Sequence, residues 1–241
     1  KMKVNYSKAL FEVKANISAS ENHVLKVELV AANSSSSLFY TLDESQPTSK
    51  SILYTKPITI EKNTVLKAAS FEGNSQKSAV LEQKFEMHLA IAAAVNLKDE
   101  PSNSYKANGA FSLGDGMYGD RGKFGRDWLG FSGKDAIATI DLGLLKKVNS
   151  ITIDVLSSPA SWIYYPKQIT VSYSENGVDY STERTISLLE IENSKGVVKV
   201  EIPSTNIRYL KVNAFNQGKI AAGNPGAGES AWLFIDEIKV E

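Results

Sequence analysis

Short β-type segments separated by turn residues recur along the whole chain, and this spacing constrains the fold more than any other feature. The segments alternate in polarity or are rich in β-branched residues: Val24–Val30, Ser37–Leu42, Val65–Phe71, Ser150–Val155, Ile169–Tyr173, Val197–Ile202 and Tyr209–Ala214. Gly, Asn, Ser or Pro residues separate most of them, and no long segment keeps a helical period. Helical turns are predicted only at Leu188–Ile191 and 217–222. The pattern therefore predicts an all-β protein built from β-sandwiches.

The length and the charge balance narrow the class of protein further. The 241 residues suffice for one large domain or two ordinary ones. Lys plus Arg and Asp plus Glu are equal at 27 each, so no net field attracts nucleic acid or anionic lipid. The absence of cysteine excludes disulfides and cysteine chemistry. The longest apolar run, Leu89–Val95, is far shorter than the roughly 20 residues of a membrane-spanning helix, so no transmembrane segment is predicted.

Residues 1–86 are predicted to form a first sandwich, centred on a strand that leads into a polar turn. That stretch reads Phe-Tyr-Thr-Leu-Asp-Glu-Ser-Gln-Pro-Thr at 39–48, and strand segments follow at 52–60 and 64–71. The three pieces resemble the small immunoglobulin-like domain that follows the catalytic barrel in chitobiases and β-hexosaminidases of glycoside hydrolase family 20. That family has glycine where this chain has Glu44, so we expect a different backbone geometry at this turn. The resemblance implies a spacer without a ligand of its own.

Residues 87–241 are predicted to form a second, larger sandwich. Five motifs occur in order: Asp-Gly at 115–116, Asp-Trp-Leu-Gly-Phe at 127–131, Ile-Asp-Leu-Gly at 140–143, Ile-Arg-Tyr-Leu-Lys-Val at 207–212 and Asp-Glu-Ile at 236–238. In this order they resemble a discoidin-type (coagulation-factor type C) domain, which glycan-processing enzymes carry as a family-32-like carbohydrate-binding module. The resemblance covers almost all of the segment. It implies a galactose-binding-like jelly-roll β-sandwich that binds a sugar and does not cleave it.

The same resemblance implies a structural Ca²⁺ ion that joins the loop at 113–119 to the closing strand. On the family's pattern Asp115 and Glu237 supply carboxylate ligands, and backbone carbonyls come from Leu113, Met117, Gly119 and Asp236. Calcium takes six to eight oxygen ligands, and a turn-rich loop is suited to expose carbonyls. The family's hydroxyl ligand after the Asp-Gly turn has no counterpart here. The alternative is a turn and a solvated acidic pair without a metal.

Aromatic side chains are the natural platform for a sugar, because the C–H groups on one face of a pyranose ring stack on them. The candidates are Trp128, Trp162, Tyr164, Tyr165 and Trp232. Trp162 and Tyr164 are the first choices and Trp128 is the second, because its neighbours could bury it. A core position is the alternative for each tryptophan. The alternation along the closing strand indicates that either the face of Trp232 or the opposite face belongs to the core.

Galactose-binding relatives present His and Arg side chains near the aromatic platform. Here Leu129 follows Trp128, and Lys167 is the cation nearest to the other aromatic loop. The galactose-type arrangement is therefore not matched, and the sugar stays open.

A glycine-rich loop at 216–230 is a candidate ligand-facing segment, with Asn216 and Glu229 as polar contacts; a flexible connection between strands is the alternative. The loop lacks Gly-Lys-Ser/Thr and follows a strand in an all-β context, so it is not a phosphate-binding loop. His23 and His88 lie in different predicted units and form neither a metal site nor a catalytic triad.

No alternation of strands and helices is present that could build a catalytic barrel. We therefore expect a non-catalytic accessory fragment of a bacterial chitobiase or β-hexosaminidase, with glycans and its own catalytic domain as partners. A purely structural module packed on that barrel, and a module for adhesion to proteins or membrane surfaces, are the alternatives. The chain opens at 1–3 with Lys-Met-Lys and no signal peptide, which indicates a piece of a longer protein. A periplasmic, cell-surface or secreted location is expected for that protein.

Overall fold

The computed structural model describes residues 11–20, 24–33 and 35–241, and the chain divides into two compact units, Lys1–Met87 and His88–Glu241. Both units consist of antiparallel β-sheet, so the prediction of an all-β fold is confirmed. Among the described residues no helix combines the length and the apolar character needed to cross a membrane. His23 lies outside the described residues, and its interpretation stays a prediction.

The described part of the first unit contains eight strands. They are β1 (Val13–Ser20), β2 (Val24–Ala31), β3 (Ser37–Thr41), β4 (Ile52–Leu53), β5 (Ile58–Ile60), β6 (Thr64–Glu72), β7 (Ser75–Gln76) and β8 (Leu81–Phe85). One sheet has the order β1-β2-β5, and the other has the order β4-β3-β6-β7 with β8 paired to β6. Leu25, Val27 and Leu29 on β2 are buried while the residues between them are exposed, as the period of two requires.

The turn after β3 has an unusual backbone conformation at Glu44. Glu44 has φ 67°, in the left-handed region that favours glycine. Glu44 therefore has a backbone conformation that is uncommon for a non-glycine residue, and the expectation that the turn differs from the family's stays a prediction. The carboxylate of Asp43 stabilises the turn, because it accepts hydrogen bonds from the Ser45 hydroxyl at 2.6 Å and from the Ser45 N–H at 3.2 Å.

The second unit contains seven strands and one α-helix. They are β9 (Ala94–Leu97), β10 (Leu129–Ser132), β11 (Ala136–Leu156), β12 (Gln168–Ser174), β13 (Arg184–Ser187), α1 (Leu188–Asn193), β14 (Val197–Phe215) and β15 (Trp232–Val240). Short 3₁₀ segments occupy Gly109–Gly114 and Pro159–Ser161. The strand order is β10-β15-β11-β14-β12-β13, with β9 paired to β11.

The two longest strands, β11 and β14, pair with each other over most of their length and supply both layers of this sandwich. The register between β11 and β14 shifts between Asp141 and Lys146. Before this shift β11 also pairs with β9, and after it β11 also pairs with β15. Ile140 before the shift and Ile153 after it are both buried in the same hydrophobic core. That shared core holds the layers together, and the connecting loops gather at their ends.

The two helical predictions have different outcomes. The helical turn predicted at Leu188–Ile191 is confirmed as part of α1, which begins with a capping box between Ser187 and Glu190. The helical turn predicted at 217–222 is wrong, because that segment forms no helix. Gly218 there has φ 81°, a conformation outside the helical region.

Candidate functional site

The loop before β12 presents an exposed tryptophan on a fixed backbone. The 3₁₀ segment Pro159–Ser161 ends at Trp162, whose side chain is 42% exposed and whose φ is 61°. The Trp162 N–H donates to the Pro159 carbonyl at 2.9 Å, and the Trp162 carbonyl accepts from the N–H of Trp232 at 2.9 Å. A large ring is therefore open to solvent although its main chain is bonded on both sides.

The glycine-rich loop closes against this tryptophan. A Cβ atom at Gly226 would lie 2.7 Å from Trp162 Cδ1, so only glycine allows the loop to approach the ring this closely. The hydroxyl of Tyr164, which is half-buried, donates to the Pro225 carbonyl at 2.8 Å. The exposed Glu229 donates its N–H to the Gly226 carbonyl at 2.9 Å. The structure therefore brings three predicted site residues to one end of the second unit.

An aromatic cluster packs beside the loop that carries Trp162, and its member Trp232 is bonded to Trp162 through the main chain. Tyr105, Phe124 and Trp232 are partly buried and pack on the buried Phe234 and its neighbours. The rings of Tyr105 and Trp232 meet edge to face, with centroids 5.2 Å apart. Sequence reasoning did not assign Tyr105 or Phe124 to the site. In the sequence each of the two is an isolated aromatic residue within a polar, turn-rich segment. Such a pattern does not by itself indicate a ligand-binding residue.

Trp128 is fully buried and offers no ring face to a sugar. It packs in the core with Leu156 and Phe234, and the Arg121 guanidinium lies 5.5 Å from its ring centroid. Gly119 covers the indole nitrogen so closely that a Cβ atom there would collide with it. The prediction that Trp128 serves as a stacking platform is corrected, because the loop and the core cover both faces of the ring.

Tyr165 and Asn216 also act in packing. Tyr165 is partly buried against the main core, and its ring lies beside Gly196, where a Cβ atom would be 2.7 Å from Cε1. Asn216 is buried, and its amide donates to the Ala231 carbonyl at 3.0 Å while its Oδ1 accepts from the Gly218 N–H at 2.7 Å. Asn216 therefore holds the ends of the glycine-rich loop, and its amide is already occupied.

Three buried carboxylates belong to the region where the loop at 113–119 contacts β15. Asp115, Asp236 and Glu237 are 3%, 2% and 1% exposed. Backbone N–H groups of the loop bind two of them, since Gly116 donates to Glu237 Oε2 at 2.8 Å and Gly119 donates to Asp236 Oδ2 at 2.6 Å. The predicted carbonyl donors Leu113, Met117 and Gly119 all lie in this loop, as the sequence placed them.

The charge of this cluster needs compensation. Burial, with a further contribution from the charge of Glu237, raises the pKa of Asp115 well above its usual range. Burial also raises the pKa of Asp236 to about 9, although the hydrogen bond from Gly119 opposes the shift. His88 Nε2 lies 3.0 Å from Glu237 Oε1. Protons, a charged histidine or a bound cation are the three ways to neutralise such a group.

The donor chemistry fits a hard cation, because all of the predicted ligands are oxygen atoms. Within the described residues, however, no three His, Cys, Asp or Glu side chains converge as a metal-binding group. A calcium ion here would therefore rely on backbone carbonyls for most of its ligands. The two carboxylates named for it, Asp115 and Glu237, would supply charge more than they would complete a coordination shell.

Comparison with known proteins gives one family match and a set of distant structural similarities. The model of the Fn3 associated family (Fn3_assoc) matches residues 27–85, within the first unit. No curated protein gives a significant match to the chain.

The structural similarities cover about two thirds of the chain. A fucose-binding module from Streptococcus pneumoniae, SpX-3, has a TM-score of 0.44 at 12% identity, over 64% of this chain and 97% of that one. The lectin domain of lectinolysin, complexed with Lewis B antigen, has 0.45 at 15% identity, over 64% and 96%. A chitosan-binding module of a Paenibacillus sp. IK-5 chitosanase/glucanase has 0.41 at 12% identity, over 65% and 99%. At these identities and TM-scores, the similarities assign no ligand to this chain.

Proposed function

We propose that the second unit is a carbohydrate-binding module whose platform is the ring of Trp162. The observation that carries this proposal is the combination of an exposed indole with a fixed main chain. The left-handed φ of Trp162 costs about 1–2 kcal/mol, and such strain persists where neighbouring contacts enforce it and where a side chain must be displayed. A ring already held in place loses little conformational entropy when a sugar stacks on it.

The polar groups beside the platform complete the requirements of a sugar site. Sugar sites combine an apolar face with a few hydrogen-bonding groups. Glu229 is exposed on the turn that begins at Gly226, and Tyr164 is hydrogen-bonded to the same loop. A carboxylate can accept hydrogen bonds from two hydroxyl groups of a sugar. A shallow contact of this kind is expected to bind with micromolar to millimolar affinity, about −8 to −4 kcal/mol.

We further propose that the chain is the non-catalytic accessory part of a bacterial glycoside hydrolase of the chitobiase or β-hexosaminidase type. The motifs that resemble a discoidin-type jelly-roll domain, and those of the first unit that resemble the immunoglobulin-like domain of that enzyme family, support this proposal. The first unit would then be a spacer, and the parent protein would act in the periplasm, at the cell surface or outside the cell. The chain should not hydrolyse aryl N-acetylglucosaminides, and turnover that scales with its concentration after repurification would disprove the accessory role.

Calcium binding is part of the same proposal. Asp115 and Glu237 would hold the ion with their carboxylates, together with the carbonyls of Leu113, Met117, Gly119 and Asp236. A bound Ca²⁺ would supply positive charge among buried carboxylates and would join the loop to β15. Its role would be structural, because it belongs to the loop that covers Trp128 and not to the exposed platform.

The test is a glycan-array screen of the whole chain, followed by calorimetric titration of the best ligand. Trp162→Ala should weaken binding at least tenfold, because the ring supplies the stacking face, while the melting temperature changes little. Leu189→Ala is the matched control, since Leu189 is 65% exposed on α1 and its loss removes apolar surface at a different place. If no mono- or oligosaccharide binds at millimolar concentration, the structural-module alternative is preferred.

A further inference from the structure

A second candidate site lies on the outward face of the sheet formed by β9, β11, β14 and β12. This face carries a shallow depression of about 380 Å³, whose polar and aromatic lining includes Asn96, Lys98, Thr139, Lys211, Asn213 and Phe215. Thr139 and Lys211 alternate along their strands with the buried residues Ala138 and Val212, so they point away from the core. Trp162 is not part of this lining.

A buried amide with one unpaired atom lines this depression. Asn213 is 8% exposed, and its Nδ2 donates to the Thr170 hydroxyl at 3.0 Å. Within the described residues its Oδ1 has no hydrogen-bond partner. If the amide were turned over, its oxygen would accept a hydrogen bond from the Thr170 hydroxyl and its nitrogen would be left without a partner. A buried polar atom without a partner costs about 1–3 kcal/mol, and because Oδ1 is itself covered, a ligand hydroxyl bonds to it only after the Asn213 side chain turns towards the depression.

The lining is also positively charged. It contains two lysines and no carboxylate. The nearby acidic side chains already have partners, since Asp141 accepts two hydrogen bonds from Arg208 at 2.8 and 2.9 Å and Asp99 pairs with Lys134 at 3.6 Å. The ammonium group of Lys211 lies over the ring of Tyr180, 5.6 Å from its centroid, which leaves its charge available to an anion. A ligand that complements this face therefore carries a negative charge.

The strand register sets the width of the face. Thr139 lies opposite Asn96 on one side and Lys211 on the other. Neighbouring strands are about 4.8 Å apart, so this row extends over roughly 10 Å. Phe215 adds a partly buried aromatic surface at one edge. We propose that the face binds an acidic saccharide of the hexuronate class. Lys98 and Lys211 hold its carboxylate groups, and the exposed Asn96 and the partly exposed Thr139 bond to its hydroxyls.

The experiment uses the whole chain and two ligands with the same sugar backbone, one charged and one uncharged: a tetramer of galacturonate and its fully methyl-esterified form. The acidic tetramer should bind, the ester should bind at least tenfold more weakly, and binding of the acidic form should weaken as sodium chloride increases. Lys98→Gln and Lys211→Gln should each reduce the affinity about tenfold, because each removes a charged hydrogen bond. Lys147→Gln, an exposed lysine elsewhere on β11, is the matched control and should leave the affinity unchanged.

Trp162→Ala separates this inference from the proposed function, because it alters only the loop platform. Retention of acidic-tetramer binding in Trp162→Ala, with loss in the two lysine variants, supports a separate site on the sheet face. Loss in Trp162→Ala without loss in the lysine variants places the acidic sugar on the loop platform and overturns the inference. Equal affinity for the acid and its ester overturns it as well, as does tighter binding of a sulfated tetramer built from an uncharged hexose.

Discussion

Trp128 and Trp162 occupy similar surroundings in the sequence but have opposite roles in the structure. Each follows a polar, turn-rich segment, and each has a glycine pressed against its ring, Gly119 and Gly226 respectively. Trp128 is fully buried, because Leu156, Ile163 and Phe234 pack around it, whereas Trp162 stays 42% exposed. Close contact with a loop therefore does not decide whether a tryptophan is buried or exposed. The packing against the rest of its ring surface decides it.

The largest expected difference between the two tryptophans is in stability. Trp128→Ala should lower the free energy of unfolding of the second unit by about 3–5 kcal/mol, because it leaves a large cavity. Trp162→Ala should cost about 1 kcal/mol or less, since much of its ring is already in water. All three tryptophans lie in the second unit, so tryptophan fluorescence during urea unfolding reports on this unit. Similar losses in the two variants would remove the distinction.

The stability of the second unit should depend on pH through Asp154, whose partner Arg121 lies over the Trp128 ring. The Trp162 region should contribute no such dependence. Burial raises the pKa of Asp154 to about 6, although the neighbouring Arg121 guanidinium opposes the shift. The folded state then binds the proton more tightly than the unfolded state, so this contribution to stability is fully present below about pH 3.8 and is lost as the pH rises through 6. The shift corresponds to at most about 3 kcal/mol.

Asp154→Asn isolates this effect, because the amide keeps the shape and can still accept a hydrogen bond from Arg121. The stability of the wild type relative to Asp154→Asn should fall between pH 4 and pH 7, measured by urea unfolding at each pH. Trp162→Ala should keep the pH dependence of the wild type. If the difference in unfolding free energy between the wild type and Asp154→Asn stays constant over this pH range, the raised pKa of Asp154 is contradicted.

Calcium should act on the buried tryptophan's loop and leave the exposed platform unchanged. If the ion binds only the native state, a concentration of 100 times its dissociation constant should add about 2.7 kcal/mol of stability. EDTA should remove that gain, and Asp115→Ala should abolish the response. Asp120→Ala, an exposed carboxylate just beyond the loop, is the control and should respond like the wild type. Identical melting curves in calcium and EDTA, after verified metal removal, would exclude the site.

The smallest effect concerns how the glycine-rich loop holds the exposed ring. Gly226 and Gly223 both have left-handed φ, 80° and 87°, so alanine at either position should cost about 1–2 kcal/mol of backbone strain. Only the Cβ atom at 226 would collide with Trp162, because no atom lies within 4 Å of one at 223. Gly226→Ala should therefore lower the glycan affinity in calorimetric titration, while Gly223→Ala should not. Equal affinities would show that the loop does not position the ring.

The fold class could be predicted from the sequence because strand periodicity is a local property. The alternation in β2 placed Leu25, Val27 and Leu29 inside without reference to any other segment. The helical turn predicted at Leu188–Ile191 was also found, and its capping box between Ser187 and Glu190 is a local feature that the sequence analysis did not use. The helical turn predicted at 217–222 failed because Gly218 adopts a conformation that composition alone does not reveal.

The site could be predicted only in part, because exposure depends on segments that are distant in the sequence. The alternation in β15 indicated that one of its faces belongs to the core, yet Leu233 and Phe234 on opposite faces are both buried, under different parts of the fold. Asn216 was a sugar-contact candidate by type, but carbonyls from β10 and from the residue before β15 occupy its amide.

The amino-acid sequence by itself determined the strands, most of their turns and the residue types available for a ligand, because these follow from side-chain shape and polarity over a few neighbours. The tertiary structure alone decided which tryptophan is buried, which described amide oxygen is buried without a hydrogen-bond partner and which lysines share an open face. Those properties depend on solvent exclusion and on contacts between β-strands far apart in the chain, and no local pattern encodes them.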